Sequence, residues 1–182
     1  VLTGALPVPG GDGIEIFGGF RWTQDEVKVV AHNFASRPLP FIGESTLSGS
    51  ATYGEPTGEI GLKSEWTPGK IAYLKFSRGY KAGNIELLAN GTTNAVQPES
   101  ILAVEGGTKN RLFDNTLHLN LTGFYYDYTD LQVPLIQGLN VITENAADAS
   151  IWGLELEAIA NPIGHLSVDR KSVRYGQRVH PG

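Results

Sequence analysis

The chain has 182 residues, 18% of them charged, with a formal net charge of -5, 23 glycines, 10 prolines and no cysteine. That balance excludes the basic footprint of a nucleic-acid binder, a disulfide framework and a thiolate metal site, and no apolar run approaches the roughly 20 residues of a spanning helix. Low charge with abundant turn formers favours many strands, so the fold class expected is all-β.

In chain order, "PGGDG" at 9–13 marks a tight turn and a strand is expected over 14–22. The stretch from Val30 to Thr57 is rich in Ser, Gly and Pro and is expected to be a long connection. It contains "GESTL", Gly43 to Leu47, the nearest approach to a nucleophile elbow. Ser45 with His32 is therefore the speculative catalytic pair of an alternative serine hydrolase reading, but the motif lacks its final glycine and a strand-to-helix turn. A strand over 58–66 ends at Trp66, beside the short turn "TPG" at 67–69. The next strand, 70–80, sets Ala72, Leu74 and Phe76 against Tyr73, Lys75 and Ser77. It runs into "SRGYKAGN", where Arg78, Lys81 and Asn84 are the candidate ligand contacts at the start of a second long connection, 80–101. No helix follows this glycine-bearing segment, so a phosphate-cradling loop is not expected.

Strand 101–112 places Glu105, Lys109 and Arg111 on one face and Leu102, Val104 and Leu112 on the other, then turns at "FDNT", 113–116. Strand 116–132 alternates Leu117, Leu119 and Leu121 with His118, Asn120 and Thr122 before an aromatic run from Phe124 to Tyr128. A third long connection, 133–150, precedes a strand over 150–160 in which Trp152, Leu154 and Leu156 oppose Glu155 and Glu157. A short turn, "NPIGH" at 161–165, precedes a further strand after His165, and the basic stretch from Asp169 to Gly182 breaks the rhythm and reads as an atypical tail, either non-native or an ordinary basic terminus. The domain division expected is thus 1–168 and 169–182. The four histidines are too scattered for a metal site, and the acids Asp127, Asp130, Glu144 and Asp148 read as solvated loop groups, so neither a metal nor another cofactor is expected.

Short and long connections alternate, which places all short turns at one end of an antiparallel up-and-down sheet. Outer-membrane barrels are built this way, and their strands alternate apolar outward and polar inward. A soluble sheet with one wet face gives the same alternation, so the pattern leaves both open. In the membrane reading Trp66, Tyr125, Tyr126, Tyr128 and Trp152 are the interface aromatics, with outer-membrane lipid as partner.

Several motifs resemble the C-terminal barrel of TonB-dependent outer-membrane receptors. They are "SRGYKAG" at 77–83 with Pro98-Glu99, the Glu105, Gly107, Lys109 strand with its "LFDN" turn, "FYYDY" at 124–128, and "NAADASIWGLE" at 145–155. "FGGFRWTQDE" at 17–26 is similar to an earlier strand of that family. The resemblance implies part of a barrel of about 22 strands that normally surrounds a plug. It implies a role in uptake of a siderophore, vitamin or carbohydrate at the outer membrane of a Gram-negative bacterium. A piece without plug is expected not to transport alone and to self-associate through open sheet edges. The alternative is a stand-alone small β-protein, esterase-like or ligand-binding, with its strands rearranged into a small closed barrel or sandwich.

Overall fold

The computed structural model describes residues 2–6, 13–33, 45–88, 92–137, 140–163 and 166–181, nearly all of them in strands. Eight strands make one antiparallel sheet: β1 (Leu2–Leu6), β2 (Ile14–Asn33), β3 (Ser45–Thr67), β4 (Lys70–Lys81), β7 (Glu99–Leu112), β8 (Leu117–Gln137), β9 (Asn140–Ile163) and β10 (Leu166–Pro181), in that spatial order. Between β4 and β7 the chain forms a separate hairpin of β5 (Asn84–Leu87) and β6 (Thr93–Val96). The sheet is open, with β1 and β10 at its edges, so the small closed barrel or sandwich is not formed. Residues 169–181 are strand and pair with β9 from Ile159 to Ala147.

Two of the short turns are built from left-handed backbone. Pro68-Gly69 joins β3 to β4, with Gly69 at φ 77° and its amide donating to Glu65 Oε1 at 2.6 Å. At 113–116 Phe113, Asp114 and Asn115 all have positive φ, 52°, 53° and 67°, and the Thr116 amide closes the turn on the Phe113 carbonyl at 3.0 Å. Asp and Asn tolerate this conformation because their short polar side chains bond locally; a phenylalanine does not share that advantage. Positions 7–12 and 164–165, on which most of "PGGDG" and part of "NPIGH" fall, lie outside the described residues.

The long connections are shorter than their composition predicts. β2 runs on to Asn33 and β3 begins at Ser45, in unbroken register from Ile14↔Ser64 to Asn33↔Ser45. Most of the expected 30–57 connection is therefore strand, as is most of 133–150, where β8 reaches Gln137 and β9 starts at Asn140. Ser48, Gly49, Ser50 and Gly54 read as loop residues in isolation. Here cross-strand backbone bonds to β2 satisfy them, and Val27, Val29 and Ala31 pair with Ala51, Gly49 and Leu47 on one face. The β8–β9 ladder carries a bulge between Tyr128 and Leu131, with Asp130 at φ 57°.

Period-two alternation sorts the side chains into two faces. Ile14, Phe20 and Trp22 of β2, Ile60 and Leu62 of β3, Leu74 and Phe76 of β4, Leu102 of β7, Leu121 and Tyr125 of β8 and Trp152, Leu154 and Leu156 of β9 are all exposed and share the outer face by register. Asn120 pairs with Glu157 and Thr122 with Glu155 on the inner face. On that face aromatic rings cover the glycine of the neighbouring strand. A Cβ on Gly61 would lie 2.3 Å from the Phe17 ring, and one on Gly153 would lie 2.7 Å from Phe124. Glycine is required there by close approach.

Little of the wall is buried. The buried apolar residues Tyr53, Ile85, Val96 and Ile142 gather where the β5–β6 hairpin packs between the extended ends of β2–β3 and β8–β9. The core therefore sits at the end of the sheet away from the short turns.

Candidate functional site

The inner face is polar and charged. Lys63 pairs with Glu15 at 2.8 Å, Lys75 with Glu105 at 2.9 Å, and Lys171 with Glu155 at 2.6 Å. Tyr126 donates to Glu105 Oε1 at 3.0 Å, Asn120 Nδ2 to Glu157 Oε2 at 2.8 Å, and Tyr73 and Thr122 share a bond of 3.0 Å. Half-exposed ion pairs of this kind stabilise by about 0–1 kcal/mol each, so their effect is on the polarity of the surface more than on its stability. Small residues Gly19, Gly79 and Ala103 floor an open recess of about 590 Å³ there, walled by Arg21, Glu59, Glu105 and Tyr126.

At the extended end the β5–β6 hairpin is pinned by side-chain amides and one carboxylate. Glu86 accepts from the Thr143 amide at 2.8 Å, the Thr143 hydroxyl at 2.5 Å and Asn94 Nδ2 at 3.5 Å, while Asn94 also donates to the Thr143 carbonyl at 2.8 Å. Burial pushes the Glu86 carboxyl up, but these donors outweigh it and hold the group below the usual carboxylate range. Asn145 bonds the Gln97 amide and carbonyl at 2.8 and 2.9 Å. Gln132 Nε2 donates to the carbonyls of Gln97 and Ala82 at 2.9 and 3.0 Å. The sequence does not single out Glu86, Asn94, Gln132 or Thr143, and Asn145 stands out only as the first residue of "NAADASIWGLE". Nothing local pairs positions about fifty apart.

The sequence candidates fall in different places. Arg78 is committed within the fold: it donates to Glu55 Oε2 at 2.9 Å and to the Pro56 carbonyl, tying β4 to the start of the β2–β3 extension. Lys81 ends β4 and Asn84 begins β5, both exposed, so these two bracket the entry to the inward hairpin. Trp66, Tyr125 and Trp152 are exposed on the outer face, Trp66 at the short-turn end and Tyr125 opposite Trp152 in register. Tyr126 and Tyr128 fall on the inner face, because consecutive residues of a strand alternate, and Tyr126 bonds Glu105 there. Trp22 joins the outer aromatics without having been singled out.

Ser45 and His32 lie at the far end of the β2–β3 ladder, where Ser45 pairs with Asn33 and His32 with Thr46. Thr46 Oγ1 is 3.2 Å from His32 Nδ1. Both residues sit in extended strand and not on a strand-to-helix elbow, so the hydrolase alternative has no support. Among the described residues no group of three His, Cys, Asp or Glu side chains converges on one point.

A family model described as TonB dependent receptor-like, beta-barrel matches residues 9–177. Among solved structures, the chain is similar to the ferric yersiniabactin uptake receptor FyuA from Yersinia pestis, with a TM-score of 0.74 and 19% identity over 92% of this chain and 24% of that one. It is also similar to the copper transporter OprC, with a TM-score of 0.68 and 17% identity over 93% of this chain and 27% of that one. With the alcaligin outer membrane receptor FauA from Bordetella pertussis the TM-score is 0.62 and the identity 15%, over 97% of this chain and 29% of that one. At such identities the likeness is one of fold. The chain spans about a quarter of the length of these structures.

Proposed function

Because the chain belongs to the TonB-dependent receptor β-barrel family, we propose that β2 to β9 form a stretch of the wall of an outer-membrane uptake receptor. Their outer face lies against lipid, their inner face lines the lumen, and the extended ends with the β5–β6 hairpin form part of the outer mouth, where a small ligand is met. The cargoes named for the solved relatives, ferric yersiniabactin, alcaligin and copper, make a metal-bearing small molecule the proposed class. The sheet alone contacts such a cargo without moving it, since an open sheet encloses no lumen, and its exposed edges invite association with further strands.

One observation carries this reading. Along β2 the outer positions run Ile14, Ile16, Gly18, Phe20 and Trp22, then change to Gln24, Glu26 and Lys28, and the paired outer positions of β3 change from Leu62 and Ile60 to Gly54, Thr52 and Ser50. About ten tilted residues cross a bilayer, and an aromatic girdle marks its edge. Trp22 stands at that change of polarity. The lipid-facing stretch ends at β9, because β10 turns Arg170, Arg174 and Arg178 to the same side as Leu154 and Ala158. Each arginine at mid-bilayer costs about 2–4 kcal/mol.

The test uses the natural lack of cysteine. Single Leu154→Cys and Glu155→Cys variants in liposomes are treated with a water-soluble maleimide. Glu155→Cys is expected to label and Leu154→Cys to be shielded until detergent is added; equal labelling of both overturns the reading. All three tryptophans, Trp22, Trp66 and Trp152, stand on the outer face, so brominated lipid is expected to quench their fluorescence.

A further inference from the structure

On the inner face near the short turns, a cleft of about 340 Å³ is lined by Lys109, Arg111, His118, Asn120, Ile71 and Glu65. Register brings the polar groups together: Lys109 is opposite Asn120 and Arg111 opposite His118 on the neighbouring strands β7 and β8. Cross-strand neighbours of this kind have Cβ atoms about 5 Å apart. Lys63, Lys75 and Lys171 of the same face each close an ion pair. Neither Lys109 nor Arg111 has an acidic partner within ion-pair distance among the described residues. Lys109 Nζ lies 5.7 Å from the centre of the Tyr73 ring, and the Arg111 main-chain amide donates to the Gly69 carbonyl at 2.7 Å, holding its backbone at the rim of the cleft.

The one acid in the lining, Glu65, has its Oε1 engaged by the Gly69 amide. Asn120 gives one amide hydrogen to Glu157 and keeps a second. Two fixed positive charges two residues apart, an imidazole and a spare amide hydrogen in a concave site make a receptor for an oxyanion with two negative charges. We propose that this cleft binds a small dianion, either a phosphate group or a dicarboxylate, with Lys109 and Arg111 supplying the charge and His118 and Asn120 hydrogen bonds. The site is distinct from the recess floored by Gly19, Gly79 and Ala103, and it lies at the opposite end of the sheet from the mouth.

The full chain folded in detergent micelles is titrated calorimetrically with inorganic phosphate, with succinate, and with sodium chloride at matched ionic strength. Saturable one-to-one binding is expected for phosphate or for succinate, and whichever binds identifies the class. Lys109→Ala and Arg111→Ala are each expected to weaken binding about tenfold, the loss of one charge-assisted hydrogen bond. Arg111→Lys is expected to recover part of it, and Arg170→Ala, a cation on the other face, to change nothing. Circular dichroism confirms strand content in every sample. The proposal is overturned if correctly folded protein gives no saturable heat with either anion, if the Lys109→Ala/Arg111→Ala double variant binds as well as the parent, or if Arg170→Ala weakens binding equally.

Discussion

The first half of β2 and its second half obey the same alternation but place their apolar residues on opposite faces. From Ile14 to Trp22 the outward positions are apolar or glycine and the inward ones include Glu15 and Arg21; from Gln24 to Val29 the outward positions are polar and the inward ones are Asp25, Val27 and Val29. The wall is therefore a sheet with its apolar surface outside, whereas the extension has a small apolar core inside, around Tyr53, Ile85, Val96 and Ile142. Period two fixes which residues share a face, but which of the two faces is apolar changes with position along the strand.

A charge on the outer face separates the two levels most strongly. Leu154→Arg in the wall is expected to cost about 3 kcal/mol in urea titrations of the lipid-embedded protein, by the price of arginine near mid-bilayer. Thr52→Arg, on the same face of the sheet but in the extension, is expected to stay within about 0.5 kcal/mol, as for an ordinary surface change. Equal costs would remove the distinction between wall and extension. Truncation of the core under the β5–β6 hairpin reads the other side. Ile85→Ala is expected to cost about 2 kcal/mol, at the low end for buried Ile because a cluster this small collapses partly into the space. Hydrogen exchange is expected to report that loss in β5, β6 and the ends of β8–β9, leaving the β7–β8 ladder protected.

The regular sheet was largely legible in the sequence, and its extended end with the β5–β6 hairpin was not. Leu117, Leu119 and Leu121 against His118, Asn120 and Thr122 declare two faces through local spacing alone, and the register confirms them by pairing Leu121 with Leu156 and Asn120 with Glu157. "TPG" and "FDNT" also mark their turns, because left-handed backbone demands particular residues. Ser48 to Gly54 reads as a connection because its stretch is rich in Ser, Gly and Pro; what makes it strand is the partner β2, from Ser48↔Val30 to Gly54↔Gln24. Arg78 looked like a group offered to a ligand, and its engagement with Glu55 depends on two strands meeting in space. Tyr126 and Tyr128 resemble Tyr125 in type, but alternation alone puts them on the opposite face.

A smaller effect separates the two regions by acid. The Glu86 carboxyl is held below its usual range, so the unfolded state binds its proton more readily than the docked hairpin does. Its contribution is fully present above the unfolded value of about 4.3 and is lost as pH falls through the lower folded value. Pepsin cleavage between residues 82 and 98 is expected to accelerate across that window while the β7–β8 hairpin resists. Glu86→Gln is expected to abolish the pH dependence. If the parent and the variant show the same acid response, the docking is held by the Asn145 and Gln132 bonds without help from the carboxylate.

The smallest expected effect lies at the short-turn end of the wall, at Phe113. Its φ of 52° is shared with Asp114 and Asn115, but the Asp and Asn side chains ease that conformation and the phenyl ring does not. Exposed to 76%, the ring recovers little through burial. A left-handed conformation costs an ordinary L-residue about 1–2 kcal/mol, and glycine returns part of that gain through the greater freedom of its unfolded chain. Phe113→Gly is therefore expected to stabilise the β7–β8 hairpin by about 0.5 kcal/mol, read as a higher urea midpoint with unchanged slope. Should Phe113→Gly instead destabilise, the ring must be held at the edge of the apolar outer band. The girdle at this end would then include Phe113 beside Trp66, and the lower boundary of the wall would move to the turn itself.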